Sequence, residues 1–452
     1  MRNLKFVRSP YRYYYLIKNS LNEIGSAMLD LKFIRENHEL VRQGLLNKNS
    51  KDVVDEILSL DEERRSLILR TDDLKSKRNQ ASSQIPAMKK AGQDTTAVLA
   101  EMKLVSDQIT QMDDQLREVE SKLEVILRHT PNISHSSVPV GKTADDNIET
   151  KQWLPDGFSF NNSFKVLDHI ELGKKFKILD FERGTKISGS GFPLYIGKGA
   201  TLERALINFM LDYHLQHHGY SEVLPPVLVN RESMEGTGQI PKMEDDMYFV
   251  EKDGLYPIPT AEVPITNIHR GEILEEKYLP VKYVGYSPCF RREAGSYGKE
   301  SKGFLRVHQF NKVEMVKFVK PETSYDELEK LVIDVEDILQ ALKIPYRILL
   351  LCTGDISFSA AKCYDIETWS PAENRWLEAS SCSNFENFQA RRANIRFRNE
   401  ETKKPEYIHT LNGSGLATSR LMVSILENYQ TEDGKIKVPE VLWKYTGFKI
   451  ID

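Results

Sequence analysis

From Ile57 to Ile126 the chain holds one glycine, and apolar residues recur every third or fourth position. In the second half of this stretch Val98, Met102, Val105, Ile109, Met112, Leu116, Val119, Leu123 and Ile126 alternate steps of four and three. That is the 3.5-residue period of a coiled-coil seam. The first half is looser: Leu60, Leu67, Leu74, Ala81, Ile85 and Met88 hold the seam, and Arg64, Thr71 and Arg78 interrupt it. Ala91-Gly92-Gln93-Asp94 supplies a turn, with Gly92 as helix terminator and Asp94 as N-cap. The pattern predicts two helices of about 35 residues in an antiparallel hairpin roughly 50 Å long. Pro86 lacks an N–H and crowds the preceding turn, so the first helix is expected to kink or end about a turn before the tip. A helical stretch, Leu31–Leu46, is expected to pack at the base of the hairpin.

Beyond Leu167 helical and strand periods alternate to the C-terminus. Thr201–His217 reads as a helix that ends at Gly219, before the apolar run Ser221–Val229. Pro225 and Pro226 cannot donate ladder hydrogen bonds, which places that run at an edge or interface. Pro288–Glu293 and Phe304–Phe318 read as strands flanking a polar loop with Gly295, Gly298 and Gly303, a hairpin with a long tip. Strand alternation puts Arg291 and Glu293 on one face, and His308, Phe310, Lys312 and Glu314 on a shared face of the second strand. A guanidinium, two carboxylates and a ring suit an anion, an amine and a flat base, although an ordinary exposed hairpin has the same spacing. Asp365–Trp369 and Trp376–Ser380 form a second hairpin around Pro371-Ala372-Glu373-Asn374. Thr410–Leu416 reads as a strand and a Gly turn entering a helix that carries Arg420, a joint whose free N–H groups favour anions.

A length of 452 residues points to at least two domains. The composition, 40% hydrophobic and 28% charged, is that of a globular chain. A net charge of −4 confines any RNA contact to local patches. One such patch runs from Leu74 to Gln93, where Lys75, Lys77, Arg78, Lys89 and Lys90 occur without an acidic residue. The four cysteines form no CxxC pair and read as reduced cytosolic thiols. No apolar run reaches the roughly 18 residues of a membrane span. Residues 1–27 carry five basic residues against Glu23 alone. They read as a start codon placed too early, because MLDLKFIRENHELV from Met28 resembles the point where chains of the family named below begin; an Arg-containing organellar leader is the alternative.

The run FRREAGSYGKESKGFLRVHQFNKVE, residues 290–314, resembles motif 2 of class II aminoacyl-tRNA synthetases, and in detail that of the seryl-tRNA synthetases. The resemblance covers Met28 to the C-terminus, with motif 1 at Thr201–Val229 and motif 3 at Thr410–Arg420. It implies an α+β fold: an N-terminal antiparallel helical hairpin (28–130), a linker (131–166), and a class II catalytic domain on an antiparallel β-sheet flanked by helices (167–452). It also implies ATP-dependent attachment of L-serine to tRNA(Ser), and to tRNA(Sec) where present, through a seryl-adenylate. Arg291 and Arg420 then act on phosphates as catalytic residues. Serine falls to Thr260, Ala261, Glu262, Arg291, Glu314 and Ser414, with Glu314 on the serine hydroxyl. ATP falls to Arg291, Arg292, Glu293, Val307, Phe310, Glu378, Ala379, Ser380, Ser381 and Arg420, with Phe310 stacked on adenine. Mg2+ falls to Glu378 and Ser381, which face opposite ways on a regular strand, so this pair requires a bulge near Ala379–Ser381.

Further implications are a cytoplasmic homodimer and a basic arm tip that grips tRNA phosphates. Phe310 and Glu314 lie roughly 13 Å apart along a strand, a span that suits adenine at one end and the amino acid at the other. A ligase that charges a carrier protein would share the catalytic core but tends to lack the arm. A non-catalytic RNA-binding relative would keep the arm but lose Arg291, Glu293, Phe310, Glu378 and Arg420, all of which are present.

Overall fold

The computed structural model describes residues 29–161, 163–293 and 303–452. The basic leader 1–27 and the loop glycines Gly295 and Gly298 lie outside the described residues. The chain divides into two compact units: an N-terminal one that ends at Thr130, and one formed by residues 47–49 with Pro131–Asp452.

In the N-terminal unit the expected stretch Leu31–Leu46 is two helices, α1 (Leu31–Glu36) and α2 (His38–Asn47), interrupted at Asn37. Asp30 caps α1 by accepting the Lys32 N–H at 2.7 Å. The hairpin consists of α3 (Val54–Lys90) and α4 (Thr96–Arg128). Every seam residue from Val98 to Ile126 is buried or half-buried. The polar interruptions of α3 also lie on the seam: Arg64 reaches Glu120 of α4 at 3.1 Å, and Thr71 is buried. At the base, the buried Asp61 carboxylate accepts from Arg35 at 2.7 Å and Arg65 at 3.1 Å. Gly92 takes a left-handed φ of +71° in the turn, and Asp94 accepts from both the backbone N–H and the hydroxyl of Thr96.

The expected break at Pro86 does not occur, and α3 runs on to Lys90. The carbonyl that Pro86 leaves without a helical partner belongs to the exposed Ser82, where water can serve it. Ile85 and Met88 keep the last turn on the seam. Pro86→Ala should therefore restore one helical hydrogen bond and stabilise the tip by up to about 3 kcal/mol. Slower amide exchange over residues 83–90 would show this. Unchanged exchange there would mean that Pro86 is already fully accommodated.

The second unit is built on an eight-stranded sheet. Its strands in chain order are β1 (Ile148–Trp153), β2 (Ser221–Glu222), β3 (Val281–Phe290), β4 (Gln309–Val319), β5 (Tyr346–Leu350), β6 (Lys362–Ser370), β7 (Arg375–Asn384) and β8 (His409–Ala417). Their spatial order is β1-β5-β6-β7-β8-β4-β3-β2. All pairs are antiparallel except β2 with β3. Residues 131–166 are thus more than a connector, because they supply the edge strand β1. They are also fixed at their start, where the Asn132 side chain donates to the carbonyls of Ser359 at 3.0 Å and Phe385 at 2.9 Å.

Period-2 alternation along β4 sorts its side chains. Val313, Met315 and Val319 enter the main core, together with Ile366, Cys382 and Leu416. Three helices pack their apolar stripes into this core: α5 (Lys198–His217), α6 (Ser324–Ala341) and α7 (Thr418–Asn428). Val316 and Phe318 face the other way, into a smaller core with Ala261, Ile265 and Ala390. The site lies on that second face.

Three expectations need correction. The first strand of the long hairpin stops at Phe290, so Arg291 and Glu293 follow it instead of sharing a strand face, and Glu293 has φ +51°. The second strand begins at Gln309 rather than Phe304, because Phe304 turns into an aromatic pocket. Finally, Gly413–Gly415 forms no turn. The strand β8 runs through it to Ala417, and the glycines serve close packing: a Cβ at Gly413 would lie 2.9 Å from Cys382 Sγ, and one at Gly415 would lie 2.7 Å from His214 Nε2. As expected of its prolines, the run Ser221–Val229 is peripheral. Only β2 joins the sheet, at its edge, and Leu228–Val229 pairs with Tyr256–Pro257 in a separate ribbon.

Candidate active site

Strand register brings four strands' polar residues onto one face. Ser414 pairs with Glu314, Asn412 with Ser383, Ser381 with Asp365, and Glu378 with Glu367. A register shift between Glu378 and Ser380 makes Ala379 an extra residue. This bulge, the one the proposed metal pair requires, turns Glu378 and Ser381 to the same side. A second shift leaves Gly415 unpaired, so that Ser414 faces Glu314 while Leu416 returns to the helix-covered core.

The centre of this face is a closely packed set of charges. Glu314 is fully buried, accepts from Asn412 Nδ2 at 2.7 Å and forms an ion pair with Lys312. Glu262, also buried, accepts from Gln389 Nε2 at 2.6 Å. Gln389 belongs to the short helix Phe388–Arg392, donates also to the Thr237 carbonyl and accepts from Thr410. Thr260 Oγ1 accepts the Glu262 N–H at 3.1 Å, which orders the TxE turn, while Ala261 packs its methyl into the smaller core. Burial, and then the nearby Glu314 carboxylate, push the Glu262 carboxyl up to about 7.

Around this centre, Arg291 lies with its guanidinium 5.2 Å from the Phe310 ring centroid, close enough for a cation–π contact. Its N–H donates to the His308 carbonyl at 3.0 Å, which closes the hairpin behind the strand ends. Glu293 pairs with Arg306 across the hairpin at 3.2 Å. Arg292 is exposed and Val307 buried. Arg420 donates to the Glu378 carbonyl and to the Leu305 carbonyl, both at 2.8 Å. Burial lowers the pKa of this guanidinium. Ser380 is spent on structure, donating to the Ser414 carbonyl at 2.6 Å. Asp365 lies beside Ser381 and Glu378, and burial followed by the Glu378 charge pushes its carboxyl well above the usual carboxylate range. Among the described residues no three His, Cys, Asp or Glu side chains converge as a metal-binding group. The Asp365–Glu378 corner is instead two carboxylates and a hydroxyl, an oxygen set that suits a hard cation holding waters or phosphates besides.

At the hairpin tip Lys89 and Lys90 are exposed at the end of α3. Lys75 pairs with Asp113 of α4 at 3.3 Å and Lys77 with Asp73 at 2.6 Å, and Arg78 is half-buried. The positive field is thus concentrated at the last turn. Sequence reasoning assigned no role to Lys312, Asn412, Gln389 or Asp365. Lys312 and Asn412 could have been found by extending the alternation across paired strands, whereas nothing local marks Gln389.

The class of the protein follows from this face and from family comparison. Residues 247–429 match the tRNA synthetase class II core domain (G, H, P, S and T), and residues 28–134 match the seryl-tRNA synthetase N-terminal domain. The serine–tRNA ligase of Chloroherpeton thalassium is 61% identical over 94% of this chain and 100% of its own length. That of Chlorobaculum parvum is 59% identical over the same shares. Among solved structures, the seryl-tRNA synthetase of Pyrococcus horikoshii complexed with ATP superposes with a TM-score of 0.88 at 42% identity, covering 94% of this chain and 99% of that one. The chain belongs to the seryl-tRNA synthetase family.

The raised Glu262 carboxyl has a consequence for stability. Between its ordinary value of 4.5 and about 7, the folded chain keeps this proton and the unfolded chain loses it. Stability therefore falls as pH rises through that window, and the loss persists above it. Glu262→Gln removes the titration, so its Tm relative to the parent should be higher at pH 8 than at pH 5. A Tm difference that does not change with pH would place the Glu262 carboxyl outside this window.

Proposed function

We propose that the face built on β4, β6, β7 and β8 joins serine to ATP and that the basic hairpin tip holds the tRNA. As a class II serine–tRNA ligase, the chain attaches L-serine to tRNA at the expense of ATP. The observation that carries the division of roles is the pair of buried carboxylates, Glu262 and Glu314, with the Arg291 guanidinium over the Phe310 ring farther along the strand that holds Glu314.

In this reading Thr260 and Glu262 take the serine ammonium. Glu314, held by Lys312 and Asn412, accepts from the serine hydroxyl, and Ser414 and Ala261 shape the pocket. An amino acid without that hydroxyl leaves a buried acceptor unpaired and is rejected. Arg291 is the planar fork that aligns the serine carboxylate with the α-phosphate. The carboxylate then attacks in line, with no protein nucleophile. Phe310 stacks on adenine beside Glu293, Arg292 and Val307, and Arg420 meets the outer phosphates. Glu378 and Ser381, with Ala379 as the bulge and Ser380 tying it to β8, would hold Mg2+ beside Asp365. When bound, the ion neutralises phosphate charge.

Two copies meet through the β2 edge, where Leu224 and Leu228 expose apolar surface. The protein works in the cytoplasm, consistent with four free, buried cysteines. No helix among the described residues is long and apolar enough to cross a membrane. tRNA(Ser), and tRNA(Sec) where present, meets the arm through its phosphate backbone.

Two variants, each assayed for serine-dependent ATP–pyrophosphate exchange and for tRNA charging, test this assignment. Arg291→Lys keeps the charge but loses the fork, and should lower both activities by about tenfold or more. Changing Lys75, Lys77, Lys89 and Lys90 together to Gln should raise the tRNA KM and flatten its salt dependence. Serine and ATP KM values should stay within about twofold of the parent. Exchange at the parent rate in the first variant would remove Arg291 from the chemistry. Charging at the parent tRNA KM in the second would make the arm a scaffold.

A further inference from the structure

Behind the hairpin lies a buried polar chain that belongs to none of the assigned pockets. His169, at the start of a short helix, is 1% exposed. Its Nδ1 lies 2.9 Å from Glu427 Oε1, which also accepts the His169 backbone N–H at 3.1 Å. Glu427 Oε2 accepts from Ser370 Oγ at 2.5 Å. The other ring nitrogen, Nε2, lies 3.1 Å from the Phe304 amide nitrogen. An amide can only donate, so Nε2 accepts and the ring proton sits on Nδ1, facing the carboxylate. Glu427 thereby sets both the tautomer and the orientation of the ring. Gly303 fits this contact, since a Cβ there would lie 2.1 Å from His169 Nε2. One residue further along, the Leu305 carbonyl receives Arg420 Nη2 at 2.8 Å.

We propose that His169 is a positioning residue for ATP, fixing the Phe304–Leu305 backbone so that the Leu305 carbonyl aims the Arg420 guanidinium at the nucleotide. The Phe304 ring alone does not set this backbone. It packs against Phe181, Tyr195 and the His169 ring itself, contacts that allow sliding, whereas the directional amide bond to His169 Nε2 defines the height of residues 303–305. Ser370 and Glu427 act through His169, and none of the three touches substrate. The proposal rests on the reading of Arg420 as a phosphate-binding residue.

Two substitutions separate the halves of the imidazole. His169→Asn keeps a donor for Glu427 but removes the acceptor for Phe304, and His169→Gln places an acceptor near the Nε2 position. In serine-dependent exchange, His169→Asn should raise the ATP KM about fivefold, the factor for one lost hydrogen bond, and leave the serine KM within about twofold. His169→Gln should recover most of the loss. Gly303→Ala, which crowds the same contact from the other side, should reproduce the ATP effect and serves as the second probe if His169→Asn folds poorly. Arg420→Lys should itself raise the ATP KM, and adding His169→Asn to it should cost little more, because both act on one contact. An ATP KM at the parent value in both His169→Asn and Gly303→Ala, beside an impaired Arg420→Lys, overturns the role of His169 alone. Additive effects in the double variant do the same. An unimpaired Arg420→Lys overturns the reading of Arg420, and this proposal with it.

Discussion

Two carboxylates, Glu262 and Glu314, are held close together out of water, and much of the catalytic unit is arranged to make that tolerable. Like charges in a low-dielectric pocket raise one another's pKa or draw in cations and donors. Both responses are present: Glu262 is driven up to about 7, while Glu314 is ion-paired with Lys312 and hydrogen-bonded by Asn412. In the proposed function, serine's ammonium and hydroxyl are what these two carboxylates meet.

Holding the pair requires rigid surroundings, and the sheet provides them. Glu314, Lys312 and Asn412 sit on paired strands whose opposite faces are locked under α6 and α7. Glu262 is fixed from a separate turn by Gln389, itself tied to Thr237 and Thr410. Two single-residue bulges, at Ala379 and Gly415, let strands that are core on one side present Glu378, Ser381 and Ser414 on the other. Removing either bulge would turn part of the site into the core.

Much of this was legible in the chain. The seam from Val98 to Ile126 gave the arm because a period of 3.5 has one structural meaning when nine successive positions keep it. Alternation along β4 placed Phe310, Lys312 and Glu314 correctly on one face. The need for a bulge near Ala379 followed from the spacing of Glu378 and Ser381 once the family resemblance had made them a pair. What stayed hidden depends on contacts that local patterns do not encode. Gln389 meets Glu262 across 127 positions, from a helix of five residues. Pro86 looked like a helix breaker, but its lost hydrogen bond faces water one turn from the helix end. Gly413 and Gly415 looked like a turn, although it is Cys382 and His214 pressing from the helix-covered side that exclude a side chain there.

The central claim is that serine's ammonium replaces the proton that Glu262 keeps in the absence of serine. Calorimetry of serine binding in buffers of different ionisation enthalpy counts the protons exchanged. Release of about one proton per serine is expected at pH 6, falling toward none at pH 8, as a carboxyl near 7 is ionised by the incoming cation. A proton count of zero at both pH values would mean that Glu262 is already ionised without serine, and that the carboxylate pair is not what selects the ammonium.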